Sequence, residues 1–292
     1  MAPRPTVRVL LLACALAGVA SAADRDGFLP AESRVVTLAQ LPEAPDGAAP
    51  ACAARLTARG VPTVLHREHL FLLSERPQAP VADWAPPAGA EPVRDYCWLD
   101  DAGTLALMRE TTVDFVRAGR TIRSVATPTR GMRLARADAT HCYLYGGEGE
   151  DWAHTVVVVG IDGALRHLAR LPEAVTAVAG NGVNTFVATG CVVHFLGTGA
   201  EPRPVFSETT PIKELAYAPP VGVFYRTSAG IGCLHGPAAG SLFLRQATLS
   251  LDARDSRLLV LTADREVLLI APIARIPRLL GEVRALVPGR RP

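Results

Sequence analysis

An all-β chain, built from one small sheet repeated six times, is what this sequence predicts, and three observations predict it. Apolar runs of four to seven residues, rich in Val, Leu, Thr, Phe and Tyr, alternate with Gly, Pro, Asp and Asn from residue 51 to about Pro272. No long helical period interrupts them. The triplet Val175-Thr-Ala-Val-Ala-Gly, Thr185-Phe-Val-Ala-Thr-Gly and Val192-Val-His-Phe-Leu-Gly197 returns 37 residues on. It reads there Ile212-Lys-Glu-Leu-Ala-Tyr, Val223-Phe-Tyr-Arg-Thr-Ser and Ile231-Gly-Cys-Leu-His-Gly236.

The elements follow in order. Met1 to Ala22 reads as a secretory signal peptide: Arg4 and Arg8 lead an apolar run, Val9 to Ala20, and Ala20-Ser21-Ala22 is a small-residue cleavage site. Leu11-Leu12-Ala13-Cys14 resembles a lipobox, but cleavage before Cys14 leaves too short a hydrophobic core. An exported, periplasmic or extracellular protein is expected. Loss of Arg4 and Arg8 turns 30 basic against 28 acidic residues into 28 against 28, which leaves no electrostatic footprint for nucleic acid. No later stretch reaches about 18 uninterrupted apolar residues, so a transmembrane segment is not expected. Nearly every base is Arg, Lys213 being the only lysine, and that bias reads as coding composition rather than as a set of anion contacts.

Residues 23–50 form a Pro- and Ala-rich lead-in with one strand candidate, Arg34 to Leu38. A degenerate first unit occupies about Ala54 to Pro92, with strands Pro62 to His66, His69 to Ser74 and Val81 to Trp84. The second holds Asp95 to Leu99, Thr104 to Arg109, Val113 to Val116 and Ile122 to Ala126. The third runs from Met132 through His141 to Tyr145, Thr155 to Gly160 and His167 to Leu171. The fourth and fifth are the echoing triplets, the fifth adding Ser241 to Arg245. A sixth contains Thr248 to Asp252, Arg257 to Thr262 and Glu266 to Ile270. A unit of three or four antiparallel strands at a period near 40 is a β-propeller blade, because so small a sheet must stack on neighbours to bury both faces. Residues 51–272 are therefore expected to form a six-bladed propeller, with five or seven blades as the alternative counts. Arg34 to Leu38 is available as the fourth strand of the last blade, closing the ring.

The chain resembles secreted β-propeller repeat proteins of the broad NHL, YncE-like and quinoprotein-like kind, on patterns such as Thr185-Phe-Val-Ala-Thr-Gly and Gly222-Val-Phe-Tyr-Arg-Thr. The resemblance implies the fold alone. Residues 273–292 change period: Ile276, Leu279, Leu280, Val283, Leu286 and Val287 share one helical face, and Pro277 suits a helix start. A short C-terminal helix is expected, packed on the propeller or, with Arg290 and Arg291, touching a membrane surface.

Five cysteines remain after the leader, Cys52, Cys97, Cys142, Cys191 and Cys233, too widely spaced for zinc. An odd number forces at least one unbridged thiol, and apolar surroundings favour buried thiols over bridges. Asp95, Asp138, Asn181, Asn184 and Glu214 lie on or just after the first strand of successive units, where they can point into a central channel. Turn and cap duty explains Asn and Asp equally well. Glu148, Glu150 and Asp151, in a glycine-bearing loop, offer oxygens suited to calcium, against the plainer reading of a solvated loop. No Gly-x-Ser-x-Gly elbow, phosphate loop or dinucleotide fingerprint occurs, so the catalytic residues are unknown and no other cofactor is evident.

Two functions are compatible with this. An exported scaffold would bind a protein or glycan partner through its loops or channel face, as neutral charge and absent motifs favour. Alternatively, a metal-assisted, lactonase-like hydrolase would use Asp95, Asn181 and Glu214 in the channel.

Overall fold

Sheets covered on both faces carry continuous apolar runs rather than alternating ones, because both sides of each strand are inside. Such runs occupy the inner strands of this molecule, seen in a computed structural model that describes residues 34–41, 52–66, 69–73, 81–84, 89–197, 201–219, 222–234 and 242–271. The strands form six four-stranded antiparallel sheets, the blades of a propeller. Strand β1 (Arg34–Gln40) belongs to blade 6.

Blade 1 is β2 (Cys52–Leu56), β3 (Pro62–His66), β4 (His69–Leu72) and β5 (Val81–Trp84). Blade 2 is β6 (Asp95–Trp98), β7 (Leu105–Met108), β8 (Thr112–Arg117) and β9 (Arg120–Ala126). Blade 3 is β10 (Arg133–Arg136), β11 (His141–Tyr145), β12 (Thr155–Gly160) and β13 (Leu165–Arg170). Blade 4 is β14 (Val175–Gly180), β15 (Thr185–Thr189), β16 (Val192–Leu196) and β17 (Arg203–Ser207). Blade 5 is β18 (Glu214–Ala218), β19 (Gly222–Arg226), β20 (Ile231–Cys233) and β21 (Leu242–Leu244). Blade 6 is β22 (Thr248–Arg254), β23 (Arg257–Thr262), β24 (Glu266–Ala271) and, on its outer edge, β1. β1 pairs antiparallel with β24 from Arg34 opposite Ala271 to Gln40 opposite Glu266, with a register shift between Thr37 and Ala39. The pairing joins the two ends of the propeller and covers an edge that would otherwise be open.

Inner strands such as β12, Thr-Val-Val-Val-Val-Gly, are buried throughout, whereas the outer β9 and β13 are exposed along most of their length. The outer strands carry the charges, Arg120 and Arg123 in β9 and Arg166 and Arg170 in β13, and β17 carries Pro204; all discourage edge-to-edge pairing. β8 and β9 are joined by the two-residue loop Ala118-Gly119, with φ of 49° and 73°. Positive φ at both positions is the hairpin turn whose twist matches the strands, easy for Gly119 and strained for Ala118.

Six hydrophobic clusters hold the ring together, one at each junction between adjacent blades. Leu99, Met108, Phe115, Leu134, Leu144 and Val159, for example, join blades 2 and 3. Phe224, Ile231, Leu258, Val260 and Ile270 join blades 5 and 6, and Leu41, Val64, Leu73, Leu259 and Leu269 join blade 6 to blade 1. Each fully buried Leu or Phe contributes about 1.5–3 kcal/mol relative to exposure. The ring is therefore stabilised mainly at the faces between sheets. Tyrosines add directional bonds across two of those faces: the Tyr96 hydroxyl lies 2.9 Å from Thr63 Oγ1, and that of Tyr143 lies 2.7 Å from Thr185 Oγ1.

β2 and β17 extend the units read from the sequence, the first of which began only at Ala54. The one helix among the described residues is the single turn α1 (Glu150–Ala153). The signal peptide and the C-terminal helix fall outside the described residues. No helix among those described is long and apolar enough to cross a membrane. Cys97, Cys142, Cys191 and Cys233 are thiols, and the Sγ atoms of Cys97 and Cys142 lie 3.6 Å apart between blades 2 and 3.

Candidate functional site: the central channel

Propeller geometry sends the first strand of every blade to the axis, so β2, β6, β10, β14, β18 and β22 run side by side around the channel. A charged side chain on one of these strands must find a partner across the axis or remain unpaired in a poorly hydrated space. Arg55, from β2, finds two. Its Nη2 donates to Asp95 Oδ1 at 3.0 Å and lies 3.3 Å from Oδ2, and its Nη1 lies 3.0 Å from Glu214 Oε1. Nη1 also donates to Ser250 Oγ at 2.6 Å and to the Leu251 carbonyl at 3.3 Å.

The carboxylates are satisfied on their other sides too. Asp95 Oδ1 accepts the Tyr96 N–H at 2.8 Å. Glu214 Oε2 accepts Arg226 Nε and the Leu251 N–H, both at 2.9 Å. Asp252, also facing this group, takes the Leu56 N–H on Oδ2 at 2.6 Å and the Ala253 N–H on Oδ1 at 2.9 Å. Arg133 donates to the carbonyls of Thr176 at 2.8 Å and Lys213 at 3.2 Å while lying over the Tyr145 ring, 5.4 Å from its centroid. Burial acts against the Arg55 charge, but Asp95, Glu214 and Asp252 outweigh it and hold the guanidinium well above its ordinary range. Burial pushes the carboxyls of Asp95 and Asp252 up, further than Arg55 draws either of them down.

Beside this ionic network lies a small cavity of about 60 Å³, lined by Arg55, Glu214, Asp252, Tyr145, Arg136 and Arg254. It shares Arg136 and Arg254 with a wider opening of about 430 Å³ at the end of the channel where the first and second strands of each blade are joined. All six blades contribute to that mouth, through Ala58, Asp101, Ala139, Asn181, Pro219 and Asp255. The channel is thus closed by charge in its interior and open at one end.

Of the residues singled out from the sequence, Asp95 and Glu214 come together on Arg55. Asp138 sits in the β10–β11 turn, where its Oδ1 accepts the Thr140 N–H at 2.7 Å and lies 3.0 Å from His141 Nδ1. Despite partial burial, those bonds hold its carboxyl below the usual range. Asn181 Oδ1 accepts the N–H groups of Asn184 at 2.8 Å and Val183 at 3.2 Å, closing the β14–β15 turn; Asn181 also lines the mouth. Asn184 serves that turn through its backbone. Glu148 and the α1 residues Glu150 and Asp151 are exposed, and Asp151 is paired with Arg170 at 2.7 Å. Among the described residues no group of three or more His, Cys, Asp or Glu has an arrangement that could hold a metal ion. Arg55, Arg133, Arg136, Arg226, Asp252 and Arg254 escaped the sequence reading. Their signal was present: each is a charge within or at the end of a short apolar run.

No family model matches this chain, and no curated protein matches it in sequence. Solved structures do match. A gluconolactonase from Xanthomonas campestris aligns with a TM-score of 0.58 at 12% identity, covering 93% of this chain and 99% of that one. A catalytically inactive virginiamycin B lyase from Staphylococcus aureus, with quinupristin, aligns at 0.56 and 9%, covering 78% and 82%. The WD40 propeller domain of Doa1 aligns at 0.55 and 10%, covering 80% and 96%. At these identities the likeness establishes the propeller fold.

Proposed function

We propose that the protein is a binding propeller that receives a small ligand at the open mouth of its channel, with the ionic network behind the mouth acting as structure. The observation that carries this reading is saturation. Every carboxylate oxygen of Asp95, Glu214 and Asp252 already has a guanidinium or a backbone N–H within 3.3 Å. A metal-assisted hydrolase needs open oxygen ligands at that point, and the Arg55 guanidinium stands where a cation would have to sit. An exported location, as read from residues 1–22, would place the ligand outside the cytoplasm.

A second reading is a lactonase-like hydrolase. It is supported by the meeting of Asp95 and Glu214 inside the channel and by the fold shared with the Xanthomonas gluconolactonase; of the two readings, the structural comparisons favour this one. Hydrolysis of a panel of aldonolactones and aryl esters, with and without millimolar calcium, manganese or zinc, separates them. The binding reading expects rates equal to buffer. Saturable turnover that disappears in Asp95→Asn and Glu214→Gln would replace it with the second reading.

A further inference from the structure

We propose that Arg254 and Arg136 form an oxyanion receptor at the inner end of the mouth, taking the carboxylate or phosphate group of a small ligand. The proposal deepens the binding reading and rests on it. Arg254 ends β22, immediately before the tight Asp255-Ser256 turn, in which Asp255 has a φ of 52°. The residue is 9% exposed, and both its terminal nitrogens are buried with no hydrogen-bond partner among the described residues. Buried polar groups are otherwise almost always paired, and an unpaired guanidinium that lines a cavity marks the place of a missing acceptor.

Arg136 ends β10 in blade 3, which stands opposite blade 6 in a ring of six. Its Nε donates to the Leu99 carbonyl at 3.3 Å, and both arginines line the inner cavity as well as the mouth. Neither forms an ion pair with a described carboxylate. The acidic groups facing Arg254 are Asp252, whose oxygens are taken by the Leu56 and Ala253 N–H groups, and the exposed Asp101 and Asp255. Burial, and then the neighbouring charge of Arg136, hold the Arg254 guanidinium below its ordinary range. An oxyanion between the two forks would satisfy the orphaned donors and relieve the like-charge repulsion together. The mouth, about 430 Å³, is within the size range of small-molecule sites.

The test is thermal unfolding of the full chain in low-salt buffer with increasing inorganic phosphate or malonate, against sodium chloride at matched ionic strength. Binding to the folded state raises Tm with ligand concentration. Saturating shifts with phosphate alone assign a phosphate-bearing ligand, shifts with malonate alone a carboxylate, and both support the receptor. The apparent Kd should weaken about ten-fold or more in Arg254→Gln and in Arg136→Gln, with Arg254→Lys intermediate. Arg254→Gln without ligand should melt at or above the wild type, because it removes a buried unpaired charge. Equal shifts in the glutamine variants, equal shifts with chloride, or no shift with either anion overturn the receptor. In those cases the binding reading survives if a neutral ligand binds and Ala139→Trp, which crowds the mouth, blocks it. Lactone turnover would overturn the reading itself.

Discussion

Arg55 and Asp95, 40 residues apart in the chain and on neighbouring blades, meet at 3.0 Å inside the channel. The same guanidinium reaches Glu214 on blade 5 and Ser250 on blade 6, so one side chain ties four blades together at the axis. Removing it leaves the buried Asp95 without its ion-pair partner and Glu214 with Arg226 alone. Loss of one partner from a buried ion pair costs about 3–5 kcal/mol. Arg55→Ala should therefore lower Tm by roughly 10 °C in a chain of this size, taking about 2–4 °C per kcal/mol. Arg55→Lys, which keeps the charge and loses the fork, should fall between. An Arg55→Ala protein melting with the wild type would show that the network carries no stability.

The ring closes through β1, which brings Ala39 into the junction between blades 6 and 1, beside Leu41. Deleting residues 23–40 unpairs β24 and exposes that junction. Differential scanning calorimetry should show a midpoint lower by more than about 10 °C, or loss of the cooperative transition. An unchanged midpoint would dispose of the closure as a source of stability.

Glu208 accepts the Tyr225 hydroxyl at 2.7 Å and the Thr209 N–H at 2.7 Å, bonds that outweigh burial and hold its carboxyl below the usual range. A depressed folded pKa gives stability that is present above the unfolded value and lost as pH falls through the folded one. Asp100 and Asp138 act in the same direction. Asp95 and Asp252 act in the opposite one: burial raises them, so their contribution is lost as pH rises through the raised values. Urea unfolding of Glu208→Gln should show a deficit of about 1 kcal/mol at pH 7 for this half-exposed group. That deficit should shrink as pH falls below the ordinary carboxylate range and through the depressed folded value, where the wild-type carboxyl becomes protonated. A deficit independent of pH would mean that the charge of Glu208 does not contribute.

Cys97 and Cys142 are 4% and 0% exposed, and burial pushes the Cys142 thiol well above its ordinary range, with Cys97 beside it adding to the shift. The thiolate is the reactive form. Among the described cysteines, iodoacetamide at pH 8 followed by peptide mapping should label the half-buried Cys191 first, and Cys97, Cys142 and Cys233 only after unfolding. Early labelling of Cys142 would contradict the packing of blade 3 on blade 2.

Strands were legible where the chain declares both an apolar run and its turns. Val175 to Leu196 and its echo from Ile212 mark blades 4 and 5 because each run is bounded by Gly, Pro or Asn, and stacking of sheets requires that texture. β2 was not legible: Cys-Ala-Ala-Arg-Leu is short, weakly β-forming and broken by a charge, and tertiary packing decides it. Missing β2 meant missing Arg55, the residue that gives Asp95 and Glu214 their meaning. Arg136 and Arg254 were obscured differently. In a chain with a single lysine, arginine reads as composition, and only the meeting of blades 3 and 6 across the channel separates these two from the surface. Asp138 and Asn181 share the periodic position that marked Asp95, yet they are spent on turns. Periodicity places a residue near the axis without saying whether its side chain serves the hairpin or the channel.

The claim on which the account depends is that Arg55 neutralises the channel carboxylates from within. Calorimetric titration of the full chain with calcium, manganese and zinc measures this directly. The account predicts no stoichiometric heat with any of the three. One equivalent of cation bound by the wild type and lost in Asp95→Asn would contradict it, because the carboxylates would then be free to hold a metal.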